Sequence, residues 1–277
     1  MRQLFILFVL MGSILIAEDK RFVIVAASYN NAQWYQKHLV SIFNQDYDNW
    51  RLIYIDDCST DGTGYLVNDF IIQHNMQKKV MLDCNVERVG HLANQYQAVH
   101  SCQNNEIVVV LDGDDWLAHN GVLSYLNEVY QDDDVWLTYG SYEAASPPYP
   151  QYCAEIPDKV IEDNSIRKHT WVLSHLRTFY AGLYKKIDLN DLCLDGTFFP
   201  IVVDLAIMYP MFEMAAGRYK YISQVLVTYN NLNDLNFSKS KSINRLRKRC
   251  LSKIRGTKPY APLSKQFFQS FIMEQKA

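Results

Sequence analysis

The chain has 277 residues, 49% of them hydrophobic and 21% charged, with a formal net charge of −3; this excludes a disordered or fibrous chain and suits one large domain or two small ones. The charge is uneven, because no acid occurs from Leu235 to Met273, nine Lys or Arg fall between Lys239 and Lys258, and the rest carries 18 basic against 30 acidic residues. A basic end on an acidic body suits anionic contacts, and the expectation is docking on an anionic membrane and no nucleic acid, with a plain solvated helix as the other reading.

The amino terminus, MRQLFILFVLMGSILIAEDK, carries one Arg and then an uncharged run from Gln3 to Ala17. That run is shorter than the roughly 20 residues needed to cross a bilayer, so residues 1–19 read as a signal-like segment. Leu15 stands where a cleavage site wants a small residue, which leaves an uncleaved anchor as the alternative. The segment points to the secretory pathway or to membrane association, with a cytoplasmic location as the other reading. Phe22 to Ala27 is then an apolar run of strand type, Trp34, His38, Ile42 and Phe43 recur at helical spacing, and Leu52 to Ile55 is a second strand. A helix around Leu66 to Ile72, a strand near Val80 to Leu82, a helix around Leu92 to Val99 and a strand Ile107 to Leu111 follow. A helix near Leu123 to Tyr130 and a strand Val135 to Tyr139 extend the series. Strands alternating with helices predict an α/β fold, with a mostly parallel central sheet flanked by helices and ligands at the carboxyl ends of the strands.

Polar residues stand at those ends. Ser28, Tyr29 and Asn30 close the first strand, Asp56 and Asp57 the second, and Asp112, Gly113, Asp114 and Asp115 the strand that begins at Ile107. Each group alone is ordinary turn chemistry, but three strand ends sharing one crevice favour a ligand site. Neither G-x-x-x-x-G-K-[ST] nor G-x-G-x-x-G is present, so the usual backbone cradle for phosphates is missing. Asp112 and Asp114, one residue apart, can instead hold a divalent cation that leaves coordination positions for phosphate oxygens. The six cysteines contain no C-x-x-C pair, which argues against structural zinc, and His91, His100 and His119 read as isolated polar positions.

The segment VIVAASYNNAQWYQKHLVSIFNQDYDNWRLIYIDDCSTDGT, then NVERVGHLANQYQAV, then VVVLDGDDWL, resembles family 2 of the inverting nucleotide-sugar glycosyltransferases, over roughly residues 21–140. The resemblance implies a single GT-A (Rossmann-like) domain, with a nucleotide-sugar-binding half at 20–140, an acceptor-binding half at 141–234 and a basic tail at 235–277. It implies Ser28, Tyr29 and Asn30 beside the nucleotide, Asp57 at the base, Arg88 near the base or phosphates, and Asp112 at the ribose or the metal. Asp114 would ligate Mn2+ or Mg2+, with Asp115 supporting the metal shell. The donor would be a nucleotide sugar and the acceptor a glycan, lipid or protein.

In the second half, RTFYAGLYKKI, LDGTFFPIVVDLAIMYPMFEMA and YKYISQVLVTYN keep the family's order. The acid at the head of the middle helix is the family's catalytic base, and Asp204 matches it, although Val203 stands where many members have a second acid; Asp195 and Glu213 are the nearest alternatives. The Q-x-x-R-W of polymerising members is absent, so transfer of a single sugar is expected. The His often found after the last strand is also absent, and YNNLNDLNF offers Asn230, Asn233 or Asp234 in its place. Two other readings are a binding protein that kept the grip on a nucleotide sugar without activity, and a phosphohydrolase with Asp112 as nucleophile. The second expects a small Gly-Thr or Gly-Val continuation, where this chain has Asp115 and Trp116.

Overall fold

The computed structural model describes residues 19–235 and 243–273. All of the signal-like segment except Asp19 lies outside them. Strands and helices alternate through β1 (Phe22–Ser28), α1 (Tyr35–Phe43), β2 (Trp50–Asp56), α2 (Thr63–Gln73), β3 (Val80–Cys84), α3 (His91–Ser101) and β4 (Ile107–Val110). Next come β5 (Trp116–Leu117), α4 (Val122–Val129), β6 (Leu137–Ala144), α5 (Asp158–Glu162), β7 (Arg177–Tyr180) and α6 (Ala181–Tyr184). A small hairpin of β8 (Cys193–Leu194) and β9 (Thr197–Phe198) precedes α7 (Val203–Ala215), β10 (Tyr219–Tyr229), α8 (Asn244–Gly256) and α9 (Lys265–Met273).

The main sheet has eight strands in the order β3-β2-β1-β4-β7-β6-β10-β5. β3, β2, β1 and β4 are mutually parallel, as are β6 and β10, while β7 and β5 pair antiparallel with their neighbours. The apolar sequences FVIVAAS of β1 and IVVV of β4 explain their central places, because a strand covered on both faces has no polar face to show. From β1 the chain winds outward through β2 and β3, then returns to lay β4 on the other side of β1. The carboxyl ends of β1 and β4 therefore flank the point where strand order reverses, the usual place for a ligand crevice.

Every element expected from the pattern is present, with moved boundaries. β6 starts at Leu137 and runs to Ala144, beyond the apolar run that marked it. Its added residues include the polar Ser141 and Glu143, and within the expected run burial of Thr138 is compensated by a 2.6 Å hydrogen bond between its Oγ1 and that of Thr178. The basic segment carries two packed helices. Cys250 and Ile254 of α8 are buried, and Phe268 of α9 stacks on Trp136 with ring centroids 4.0 Å apart. Among the described residues no helix is long and apolar enough to cross a membrane.

Candidate functional site

A cavity of about 410 Å³ opens at the switch point between β1 and β4 and is walled on its far side by the head of α7 and by α8. Its floor depends on one glycine. A Cβ on Gly113 would lie 2.6 Å from Ser28 Cβ and 2.9 Å from Ser28 Oγ, so the chain leaving β4 presses against the end of β1 as only glycine allows. Ser28 is held from the other side, where its Oγ accepts hydrogen bonds from Tyr54 Oη at 2.8 Å and Asn31 Nδ2 at 3.0 Å.

Asp57 lies in the cavity wall just past β2. Its Oδ1 accepts from Asn85 Nδ2 and the Val89 amide, and its Oδ2 from the Gly90 amide, all at 2.9 Å. Burial pushes its pKa up, but the hydrogen bonds that it accepts outweigh that and hold it below the usual carboxylate value. The same bonds fix the loop that carries Arg88, whose guanidinium sits 3.7 Å from the Tyr29 ring centroid and 3.8 Å from Asp57 Oδ2. Ser28, Tyr29, Asp57 and Arg88 thus line one cavity, as does Asp112. Asn30 does not. Its Oδ1 accepts from the Thr60 amide at 2.8 Å, and it borders a second cavity with Trp34 and Asp61. Asp56 also turns away from the central cavity and takes the Ser59 hydroxyl.

Three acids meet at the end of β4. Although burial pushes the Asp112 carboxyl up, the positive surroundings supplied by His91 and Arg177 hold it below its ordinary value. Burial and then Asp112 push Asp114 up to about 6. Burial and both neighbouring carboxylates push Asp115 well above the normal range. Asp114 Oδ2 accepts from Asn233 Nδ2 at 2.7 Å, and Asp115 Oδ1 from the Asn230 amide at 2.8 Å. The loop after β10 therefore serves the acids with asparagine contacts. Donor atoms of Asp112, Asp115 and His175 lie within 4.8 Å of one another. Asp115 Oδ2 is buried with no hydrogen-bond partner, so a two-oxygen, one-nitrogen group with an orphaned oxygen fits a divalent cation. The compact group contains Asp115 and His175 where the sequence pattern pointed to Asp114. Asp114 also lines the cavity but is turned to Asn233.

The histidines needed the tertiary structure. His91, expected to be isolated, opens α3 with Nε2 3.6 Å from Asp112 Oδ1. His175 stacks on Tyr229, and burial followed by the Arg177 charge pushes its pKa down to about 3, which keeps the imidazole neutral and able to ligate. Neither carried a spacing signal; His175 was detectable only as a polar residue just ahead of the buried strand Arg177–Tyr180.

Asp204 lines the same cavity from the first turn of α7, with Oδ2 3.4 Å from Arg177 Nη2. Arg177 is buried and is aimed by a 3.0 Å bond from its Nε to the Leu173 carbonyl. The other two acids have different employment. Glu213 is buried in a two-pronged pair with Arg167 at 2.6 and 2.8 Å. Asp195 pairs with Arg249 at 2.6 Å on the surface. Neither borders the cavity.

Residues 23–199 match the family described as Glycosyl transferase family 2, and the chain belongs to that family. Over 119 residues it is 30% identical to an uncharacterized glycosyltransferase of Haemophilus influenzae (strain ATCC 51907 / DSM 11121 / KW20 / Rd), covering 43% of this chain and 46% of that protein. The chain thus spans less than half the length of this relative. Among solved structures, S. aureus TarS superposes with a TM-score of 0.57 at 17% identity, over 92% of this chain and 42% of that one. TarS 1–349 in complex with UDP-GlcNAc gives a TM-score of 0.60 at 15% identity over 92% and 71%. Mannosyltransferase PcManGT from Pyrobaculum calidifontis, in complex with GDP-Man and Mn2+, gives 0.56 at 18% identity over 93% and 74%. At such identities these likenesses show a shared fold.

Proposed function

We propose that this family 2 chain transfers a single sugar from a nucleotide-sugar donor to an acceptor hydroxyl with inversion, using Mn2+ or Mg2+. The observation that carries this reading is that the acids around Asp112 and the carboxylate of Asp204 line one cavity from separate elements, the end of β4 and the first turn of α7. In an inverting transfer the hydroxyl attacks the anomeric carbon from the face opposite the leaving diphosphate, so cation-holding groups and proton acceptor need separate elements. Asp204 would take the proton from the acceptor hydroxyl, and Arg177 would aim its carboxylate. Ser28, Tyr29, Asp57 and Arg88 would hold the nucleoside, with Arg88 stacked on Tyr29 and so presented to the base or the phosphates. Asn30 would act indirectly, by bracing the turn at Thr60.

Asp112, Asp115 and His175 are the residues that would hold the cation, with Asp114 beside them. A divalent ion held by these residues would supply positive charge to the leaving diphosphate. Membership of the family removes the phosphohydrolase alternative. We assign most of the nucleoside contacts to residues 20–140 and the acceptor to residues 141–234. Outward cations such as Arg245 and Lys248 would supply the contact with an anionic membrane.

A thermal-shift screen of nucleotide sugars with and without Mn2+ should yield one stabilising donor class. Product formed from that donor should have the opposite anomeric configuration by NMR. Retained configuration would overturn the inverting mechanism, and a well-bound donor with no transfer to any hydroxyl would favour a binding protein.

A further inference from the structure

The basic helix α8 is amphipathic in an unusual way. Ile243, Leu246, Cys250 and Ile254 fall on one side at helical spacing, and Cys250 and Ile254 are buried against the body. Arg247 falls on that same side, between Ile243 and Cys250, whereas Arg245, Lys248, Arg249 and Arg255 are exposed. Arg247 is half-buried and lines the central cavity together with Asp112 and Asp114.

The three arginines of this cavity differ in what occupies them. Arg177 is engaged by Asp204 and the Leu173 carbonyl, and Arg88 by Asp57 and the Tyr29 ring. Arg247 has no ion pair or hydrogen bond to any described residue. Placing a guanidinium on the inward face of a helix is costly unless an anion meets it. A nucleoside diphosphate brings such an anion into this cavity, and the fork of donors on Arg suits phosphate oxygens.

Resting on the donor reading above, we infer that Arg247 binds the diphosphate of the donor, which makes α8 a wall of the donor site. Attachment of α8 to the body then becomes a condition for donor binding. Arg167, whose Nη1 donates to the Ile254 carbonyl at 2.6 Å, ties the helix in place.

The test compares UDP with uridine, and GDP with guanosine, by calorimetry on the full chain in MnCl2. The pair whose diphosphate the wild type binds is carried forward. Arg247→Gln should weaken that diphosphate roughly 10- to 100-fold, the range expected on losing charged hydrogen bonds, and leave the nucleoside unchanged. Arg247→Lys, which keeps the charge without the fork, should fall between, and Lys253→Gln, at an exposed cation of the same helix, should match the wild type. If Arg247 only offsets Asp112 and Asp114, Arg247→Gln will bind Mn2+ alone more tightly and keep the diphosphate-to-nucleoside ratio, which overturns the inference while the donor reading stands. Should Arg247→Gln fail to give a wild-type circular dichroism melt, Arg247→Lys decides, and unchanged diphosphate affinity in it overturns the inference. A wild type that binds neither diphosphate overturns the donor reading, and Arg247 with it.

Discussion

Arg177 Nη2 lies 3.4 Å from Asp204 Oδ2, joining the start of β7 to the first turn of α7 across the wall of the cavity. The partner is buried and aimed by the Leu173 carbonyl, so the Asp204 carboxylate is oriented by a rigid group rather than by its own helix. No side chain caps α7, whose N-cap is Val202 in a left-handed conformation with φ 53°.

If Asp204 is the proton acceptor, Asp204→Asn should lower turnover by about 10²- to 10⁴-fold with little change in donor affinity. Arg177→Gln should lower turnover too, through misplacement of Asp204, while the paired substitution should cost no more than Asp204→Asn alone. Steady-state kinetics beside donor-binding calorimetry separates the two effects. Near-normal turnover in Asp204→Asn would remove the assignment.

Divalent cation should be required for donor binding. Chelation with EDTA should abolish donor-induced thermal stabilisation. Asp112→Ala, Asp115→Asn and His175→Ala should each reduce Mn2+ affinity in electron paramagnetic resonance titrations. Substituting even the groups that orient a metal's ligands typically costs about 10- to 100-fold, and loss of a ligand itself should cost at least as much. Donor binding that survives EDTA would leave the diphosphate to the arginines alone.

The raised pKa of Asp114 makes a signed prediction for the metal-free protein. A carboxyl whose folded pKa is about 6, against 3.8 as its model value, binds more protons folded than unfolded between those values. Its contribution to stability therefore falls as pH rises from about 4 to 6. Asp114→Asn removes that titration, so its melting temperature relative to wild type should climb over this window and level off above it. A difference that stays flat from pH 4 to 7.5 would rule out the strained carboxylate.

Gly113→Ala should damage the floor of the site. The added Cβ must push against Ser28 at 2.6 Å, and overpacking of this kind costs about 1–3 kcal/mol. Urea unfolding should show the loss, accompanied by weaker donor binding, because the ends of β1 and β4 are forced apart. Unchanged stability would mean that the strand ends move freely.

Arg167→Met should destabilise the chain strongly, by about 3–5 kcal/mol, because Glu213 would be left buried and charged without its partner. Replacing both Arg167 and Glu213 with apolar residues should recover part of the loss. The Glu213 carboxylate holds more than Arg167, since its Oε2 also accepts from the Tyr260 amide at 2.9 Å. Denaturant midpoints for the single and double variants provide the check.

The order of elements up to β6 was legible in the sequence because it rests on local patterning: short apolar runs rich in β-branched residues, such as Ile107–Val110, suit covered strands, and their alternation with helices implies crossovers. The acids at the end of β4 were legible for the same reason, since a buried strand that runs directly into carboxylates announces a cation or phosphate site. What the sequence could not supply was the meeting of residues far apart in the chain. His175 and Asp115 share a cluster, Asn233 reaches Asp114, Arg177 meets Asp204, and Arg247 turns inward on a helix whose composition suggested a solvated or membrane-facing tail. The tertiary structure decided these because β7 pairs with β4, β10 returns beside β6, and α8 is oriented by the burial of Cys250 and Ile254. A local pattern records which face of an element is apolar; only the packed fold determines which charged groups that packing brings into reach.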